Sequence, residues 1–415
     1  MGIPSQDVLN KVYGEDAERA AERLSALAAR YDETFGAGDP EFFTASGRTE
    51  IIGNHTDHNG GKILCASITM DSIGAAQRTD DGVVTIWSEG YPEAIVVDTN
   101  AIDQIPHGGG STTLVAGMLE ATAKRGFKIG GFNAVCSSEV IPSAGVSSSA
   151  SFEMLVCEMI NHLYNDDAIE RADYARIGQY AENVWWDKAS GLMDQMACAV
   201  GGTILLDFSD GVKYEKVDFG FDELGHDLVI VNTGKGHADL SAEYSSVPNE
   251  MHDVAAALGV KNLCDTGEDA VLANLAALRE KCGDRAVMRA LHYFEEVKRV
   301  EAAEVAINAG DKAKVLDIIT ASGRSSWEWL QNAVVPGMPE EEPIPMALAL
   351  TELYLRKIGA GAFRLHGGGF AGVIMCVIPK AETAGYVDYM AGYFGRENVY
   401  LTNIRQTGAA CLGKA

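Results

Sequence analysis

The segment Val140-Ile141-Pro142-Ser143-Ala144-Gly145-Val146-Ser147-Ser148-Ser149-Ala150-Ser151 constrains this chain more than any other, because it reads as a tight loop of small residues running straight into a helix. Small side chains let a polyanion approach the backbone. The first helical N–H groups have no intrahelical acceptors, and the helix dipole adds partial positive charge at that end. Downstream, Phe152, Leu155, Val156, Met159, Ile160 and Leu163 recur at helical spacing, so the loop opens an amphipathic helix. The geometry suits a phosphate group. It is not a Walker A loop, since no GxxxxGK[ST] occurs in the chain. Taken alone, the segment could equally be a serine-rich cap on an ordinary helix.

Two further segments accompany it. Residues 47–61, GRTEIIGNHTDHNGG, pack an arginine, two histidines, an aspartate and four glycines into fifteen positions, a composition suited to a polar ligand rather than to a core. Arg364-Leu365-His366-Gly367-Gly368-Gly369-Phe370-Ala371-Gly372 precedes the apolar run VIMCVI, and its glycines permit close approach of backbone to backbone or to ligand.

In chain order these three segments resemble the GHMP small-molecule kinases, and residues 47–61 are similar to the galactokinase signature GRVNLIGEHTDYNGG. Glu182 to Gln195, ending in Gly191-Leu192-Met193-Asp194-Gln195, resembles the family segment ending in GIMDQ, and Arg289, His292 and Glu295 in RALHYFEE also look family-like. The resemblance covers most of the chain. It implies an α+β fold with the two-domain GHMP kinase architecture, the active site lying in the interdomain cleft. The expected division is residues 1–220 and 221–415.

Bulk properties set the outer limits. With 415 residues and 47% hydrophobic content, the chain can build two cores. Thirty-three basic against 59 acidic residues give a net charge of −26, which repels nucleic acid and anionic membrane, so a nucleotide site must be locally positive or metal-assisted. Eight cysteines lie scattered without C-x-x-C pairs and read as reduced thiols rather than disulfides or zinc ligands. The N-terminal stretch is an acidic-basic amphipathic helix without a signal-peptide core, and a cytoplasmic location is expected. A hairpin is expected around Asp80-Asp81-Gly82, a helix from about Ile169 to Trp186, and paired strands GGTILLDF and KYEKVDF. Beyond Asp227 the strand LVIVNT, four helical stretches through Leu330, a loop at 336–343 and a final strand, helix and strand region are expected.

The resemblance assigns roles. Asp194 is the expected base for an anomeric hydroxyl, and Arg48 holds it ionised and offsets charge on the phosphoryl oxygens. ATP is the expected phosphoryl donor, bound by Ser143, Ala144, Gly145, Val146, Ser147, Ser148, Ser149 and Ala150. Mg2+ falls to Ser149 and Glu182, since magnesium takes few protein oxygens beside phosphate and water. Asn54, His55, Asp57, Gly191 and Tyr244 are the expected sugar contacts. Departures from the family pattern accompany these matches. Asn54 stands in place of a glutamate, His58 in place of a tyrosine, Ser143 in place of a glycine, and Ser111 and Leu114 in place of an aromatic pair. They leave the sugar and the base open. Phosphorylation of galactose to galactose 1-phosphate leads. A kinase for N-acetylgalactosamine, galacturonate or arabinose follows, and the third reading is a non-catalytic sugar and ATP sensor. A monomer or a weak homo-oligomer is expected.

Overall fold

The computed structural model describes residues 2–142, 145–188, 190–234 and 240–414, so Ser143 and Ala144 of the expected ATP loop lie outside the described residues. Among the described residues, twelve strands form two sheets: β1 Glu41–Ile52, β2 Lys62–Arg78, β3 Val83–Ser88, β4 Ile95–Asp98, β5 Phe132–Ser138, β6 Thr203–Asp207, β7 Lys213–Val217, β8 His226–Asn232, β9 Ala362–Leu365, β10 Val373–Pro379, β11 Val399–Thr402 and β12 Ala410–Gly413. The first sheet runs β12-β1-β2-β5-β3-β4, with β6 on β2 and β7 on β6, and the second runs β11-β8-β10-β9. The result is an α+β architecture, as expected from the sequence.

The N-terminal amphipathic helices, Gln6–Tyr13 and Ala17–Phe35, lay Leu9, Leu24, Leu27 and Tyr31 on one face of the first sheet, against Phe42, Ile73, Ala75, Val135 and Leu412. On the opposite face lie the helices Ser111–Lys124, Ser148–Asn165 and Arg171–Tyr180, packed on alternate strand residues such as Phe43, Ala45, Phe132 and Ala134. β1 is buried along nearly its whole length because helices cover both its faces. Ile51, Ile52, Leu64 and Ile68 then share one core with Leu228, Ile230, Val373, Met375 and the helices Asp284–Asn308 and Lys312–Ser325. That shared core locks the two halves together at the signature loop.

Three expectations change. β2 and β3 do not form a hairpin about Asp80-Asp81-Gly82, because β5 inserts between them, antiparallel to β2 and parallel to β3. The chain's end does not stay with the second half. β12 pairs with β1, and Arg405 donates to buried Asp71 at 2.8 Å, drawing the last residues into the first sheet. We retain the division at 220/221 as a proposal with that strand reassigned. Among the described residues between β8 and Leu330 there are five α-helices rather than four, since Glu268–Ala273 and Leu275–Cys282 are separate. The strands β6 and β7 pair as expected, and 336–342 is loop. Among the described residues, no helix is long and apolar enough to cross a membrane.

Candidate active site

β1 is irregular where it carries its arginine. Its pairing with β2 shifts register between Ser46 and Arg48 and again between Glu50 and Ile52, and bulges of this kind re-aim side chains. The Arg48 N–H donates to the Val146 carbonyl at 3.2 Å, which fastens the strand to the anion loop. A Cβ at Gly47 would press on that same carbonyl at 3.0 Å, so the close approach requires glycine.

Arg48 then reaches Asp194 with two donors, Nε to Oδ1 at 2.8 Å and Nη2 to Oδ2 at 2.9 Å, while Nη1 donates to the Gly145 carbonyl. Asp194 lies in the first turn of the helix Met193–Val200, where the helix dipole also favours a carboxylate. Ser147, held at a φ of +62° as the cap of the helix Ser148–Asn165, donates its hydroxyl to Asp194 Oδ2. Burial alone would raise the Asp194 pKa. The charge of Arg48 and the hydrogen bonds from Arg48 and Ser147 overcome it and hold the carboxyl below its ordinary 3.8. The arginine side chain is 6% exposed and the aspartate 36%, so the cation backs a carboxylate that opens outward.

Ser149 and Glu182 also meet, the hydroxyl donating to Oε1 at 3.2 Å. Glu182 comes from a single π-helical turn, Ala181–Trp185, of the kind often found at functional sites. Two neighbours were not anticipated from the sequence. Lys188 pairs with Glu182 Oε1, and Gln195 bridges Glu182 Oε2 at 3.2 Å to Glu153 Oε2 at 3.1 Å. Glu153 is fully buried, and burial with the nearby Glu182 charge pushes its carboxyl well above the usual range. Among the described residues, its Oε1 has no hydrogen-bond partner. The spacing of four residues from Ser149 was a usable signal, since it puts both side chains on one helix face.

The signature loop makes a polar floor. Asn54 turns inward. It is 1% exposed, and its amide is fully engaged. Nδ2 donates to Glu50 Oε1 at 3.0 Å and to the Gly367 carbonyl at 2.8 Å, while Oδ1 accepts from Ser326 at 3.2 Å and Asn332 at 2.8 Å. A buried amide needs such partners, and here all of them lie on the protein side. His292 donates to the Asn54 carbonyl at 3.0 Å, and Glu296 accepts the N–H groups of Gly53 and Asn54 at 3.0 and 3.3 Å. Glu296 thus supports the loop. Glu295 instead pairs with Lys298 on a more exposed face.

His55, at a φ of +60°, donates to the Gly368 carbonyl at 3.0 Å and stacks near His58, with ring centroids 6.3 Å apart. Burial chiefly lowers the His55 pKa to about 4, so its ring is neutral near pH 7. A Cβ at Gly191 would collide with Asp57 Oδ2, so glycine there lets the Asp194 loop close over Asp57. Tyr244 donates its hydroxyl to the Gly369 carbonyl at 2.8 Å and packs on Gly368, bracing the third glycine segment. Gly367, with a φ of +68°, would place a Cβ 3.5 Å from the Gly145 carbonyl and 3.9 Å from Arg48 Nη2. The three segments therefore converge on one cleft.

Comparison with known proteins agrees. A model of the galactokinase galactose-binding signature matches residues 29–78, and one of the GHMP kinases N terminal domain matches residues 112–202. Galactokinase of Streptomyces coelicolor is 30% identical over 362 residues, covering 86% of this chain and 89% of that protein. Galactokinase of Lactococcus lactis subsp. lactis is 29% identical over 374 residues, covering 88% and 89%. The crystal structure of Lactococcus lactis galactokinase complexed with galactose superposes with a TM-score of 0.82 at 25% identity, covering 94% of this chain and 99% of that one. Mevalonate kinase of Methanococcus jannaschii, at 16% identity and a TM-score of 0.62 over 89% of this chain and 99% of that one, shares the fold. The cleft built by Arg48, Asp194 and the serine loop is thus set in a chain that belongs to the galactokinase family of the GHMP kinases.

Proposed function

We propose that this protein transfers the γ-phosphoryl group of ATP to the anomeric hydroxyl of galactose, giving galactose 1-phosphate and ADP. The observation that carries this reading is the two-donor grip of Arg48 on Asp194, beside the anion loop and within reach of the signature loop. In the reaction the C1 oxygen bonds to the γ-phosphorus as the bond to the bridging oxygen of ADP breaks, and Asp194 takes the hydroxyl proton. A carboxyl held below 3.8 is a weak base. Proton transfer therefore follows much of the bond breaking, as a loose phosphoryl transition state allows. Arg48 meanwhile faces the charge that builds on the phosphoryl oxygens.

Ser149 and Glu182 would hold magnesium. A hydroxyl and a carboxylate 3.2 Å apart supply the hard oxygens that ion takes, and the Lys188 ammonium on the same carboxylate oxygen indicates a position that accommodates positive charge. When bound, the ion neutralises charge on the β- and γ-phosphates. His55, Asp57, Gly191 and Tyr244 are proposed to line the sugar side, and Gly145 to Ala150 the phosphate side. The inward turn of Asn54 removes the argument for a modified sugar that its substitution offered. All these residues belong to one chain, and we place the enzyme in the cytoplasm, where ATP is available, as a monomer or weak homo-oligomer.

A coupled assay of ADP release with ATP, magnesium and galactose, N-acetylgalactosamine, galacturonate or arabinose tests the proposal. Galactose is expected to give the highest kcat/KM. Preference for another sugar overturns the substrate, and no release with any sugar, despite binding of ATP and galactose, favours the sensor.

A further inference from the structure

Far from the cleft, three side chains of unlike chemistry converge from distant parts of the chain: Glu41 at the start of β1, His162 in the last turn of the helix Ser148–Asn165, and Cys411 on β12. One ligating atom from each lies within 4.8 Å of the others. His162 Nε2 is 2.7 Å from Glu41 Oε2, and Cys411 Sγ is 3.9 Å from that same oxygen. A tetrahedral zinc ion needs its N, O and S ligands about 3.3–3.6 Å apart, a spacing that lies between those two separations. All three groups are partly buried rather than freely solvated.

The surroundings match what such a centre uses. The second ring nitrogen, His162 Nδ1, faces both oxygens of Asp167 at 3.0 and 3.2 Å, the carboxylate-histidine arrangement that fixes the tautomer and orientation of a ligating imidazole. The backbone N–H of Gly413 points at Cys411 Sγ at 3.3 Å, where it would stabilise a thiolate. The Cys411 N–H is itself held by Glu158 Oε1 at 2.9 Å, which fixes the cysteine backbone. Phe43 meets His162 edge-on and walls one side of the cluster.

We propose that Glu41, His162 and Cys411 form a binding site for a zinc-class divalent cation, completed by water, which ties the last strand of the chain to β1 and to the anion-loop helix. One thiolate, one imidazole and one carboxylate select a borderline-soft ion over magnesium. The site lies outside the catalytic cleft, so its occupancy should affect the holding of the chain end more than turnover.

The test uses the whole protein. Cobalt titrated into the wild type should give a thiolate-to-cobalt charge-transfer band saturating at about one ion per chain, and zinc should remove the band and raise Tm. Cys411→Ser should abolish the band while kcat with magnesium and ATP stays near wild type. Asp167→Asn should weaken zinc binding by roughly 10-fold or more. Because the wild type alone carries the titration, a variant that fails to fold does not remove the test. No charge-transfer band, or equal metal uptake by wild type and Cys411→Ser, overturns the proposal and leaves Glu41, His162 and Asp167 as an ordinary ion triad.

Discussion

Arg48 and Asp194, 146 residues apart in sequence, meet through two parallel hydrogen bonds of 2.8 and 2.9 Å, with the guanidinium buried and the carboxylate open to the cleft. The planar fork of arginine fixes both the charge and the orientation of the carboxylate, which a lysine ammonium cannot do.

Replacing Arg48 should therefore harm turnover more than binding. In Arg48→Lys the charge remains and the second hydrogen bond is lost, so kcat is expected to fall by about 10-fold or more. In Arg48→Ala the loss should be on the order of 10²- to 10³-fold. Steady-state kinetics on both variants check this, and near-equal losses in kcat for Lys and Ala would mean that geometry contributes more than charge.

The pH dependence follows from the shifts. Asp194 sits below 3.8 and stays ionised above it, and His55, at about 4, is neutral above about 5. Neither should produce a limb in kcat/KM for the sugar between about pH 5.5 and 8. A limb near 6.5 that vanishes in His55→Asn would contradict the neutral imidazole. Stability has its own window. Glu296 is at about 2 against an ordinary 4.5, because the nearby His292, Arg364 and Arg299 outweigh burial, and His55 is at about 4 against 6.5. Both folded values lie below the unfolded ones, so the unfolded state binds more protons as pH falls. Stability should be lost first between about 6.5 and 4 through His55, then between about 4.5 and 2 through Glu296. Denaturant midpoints across that range read it directly.

Asn54→Glu distinguishes an inward from an outward side chain. A glutamate there loses both donated hydrogen bonds and sets a carboxylate beside Glu50, itself buried and paired with Arg364 at 2.7 Å. The expected cost is about 2–4 kcal/mol of stability, seen as a lower Tm. An unchanged Tm with selectivity narrowed towards unmodified galactose would place residue 54 against the sugar instead.

Much of the cleft was readable in the sequence because each part of it is a short local run. The serine loop, the glycine-punctuated signature and the Gly191-to-Gln195 turn each carry their own composition signal. What could not be read depends on distant pairing. Nothing near Asp80 announces that β5, some fifty residues on, inserts between β2 and β3. Nor does the chain end signal that it returns to β1. Lys188 and Glu296 act through partners that only the fold supplies. The inward partners of Asn54 are of the same kind: its backbone sits on His292 and Glu296 and its amide points to Asn332, none of them near it in sequence.

The central claim, that Asp194 is the proton acceptor of a galactose kinase, is met most directly by pairing a single-turnover assay of Asp194→Asn with calorimetric binding of galactose and of ATP with magnesium. The substitution is nearly isosteric and leaves the other site residues in place. The account predicts a rate of galactose 1-phosphate formation lower by on the order of 10²-fold or more, with both dissociation constants within a few-fold of wild type. A variant that binds both ligands and forms galactose 1-phosphate at close to the wild-type rate would contradict it.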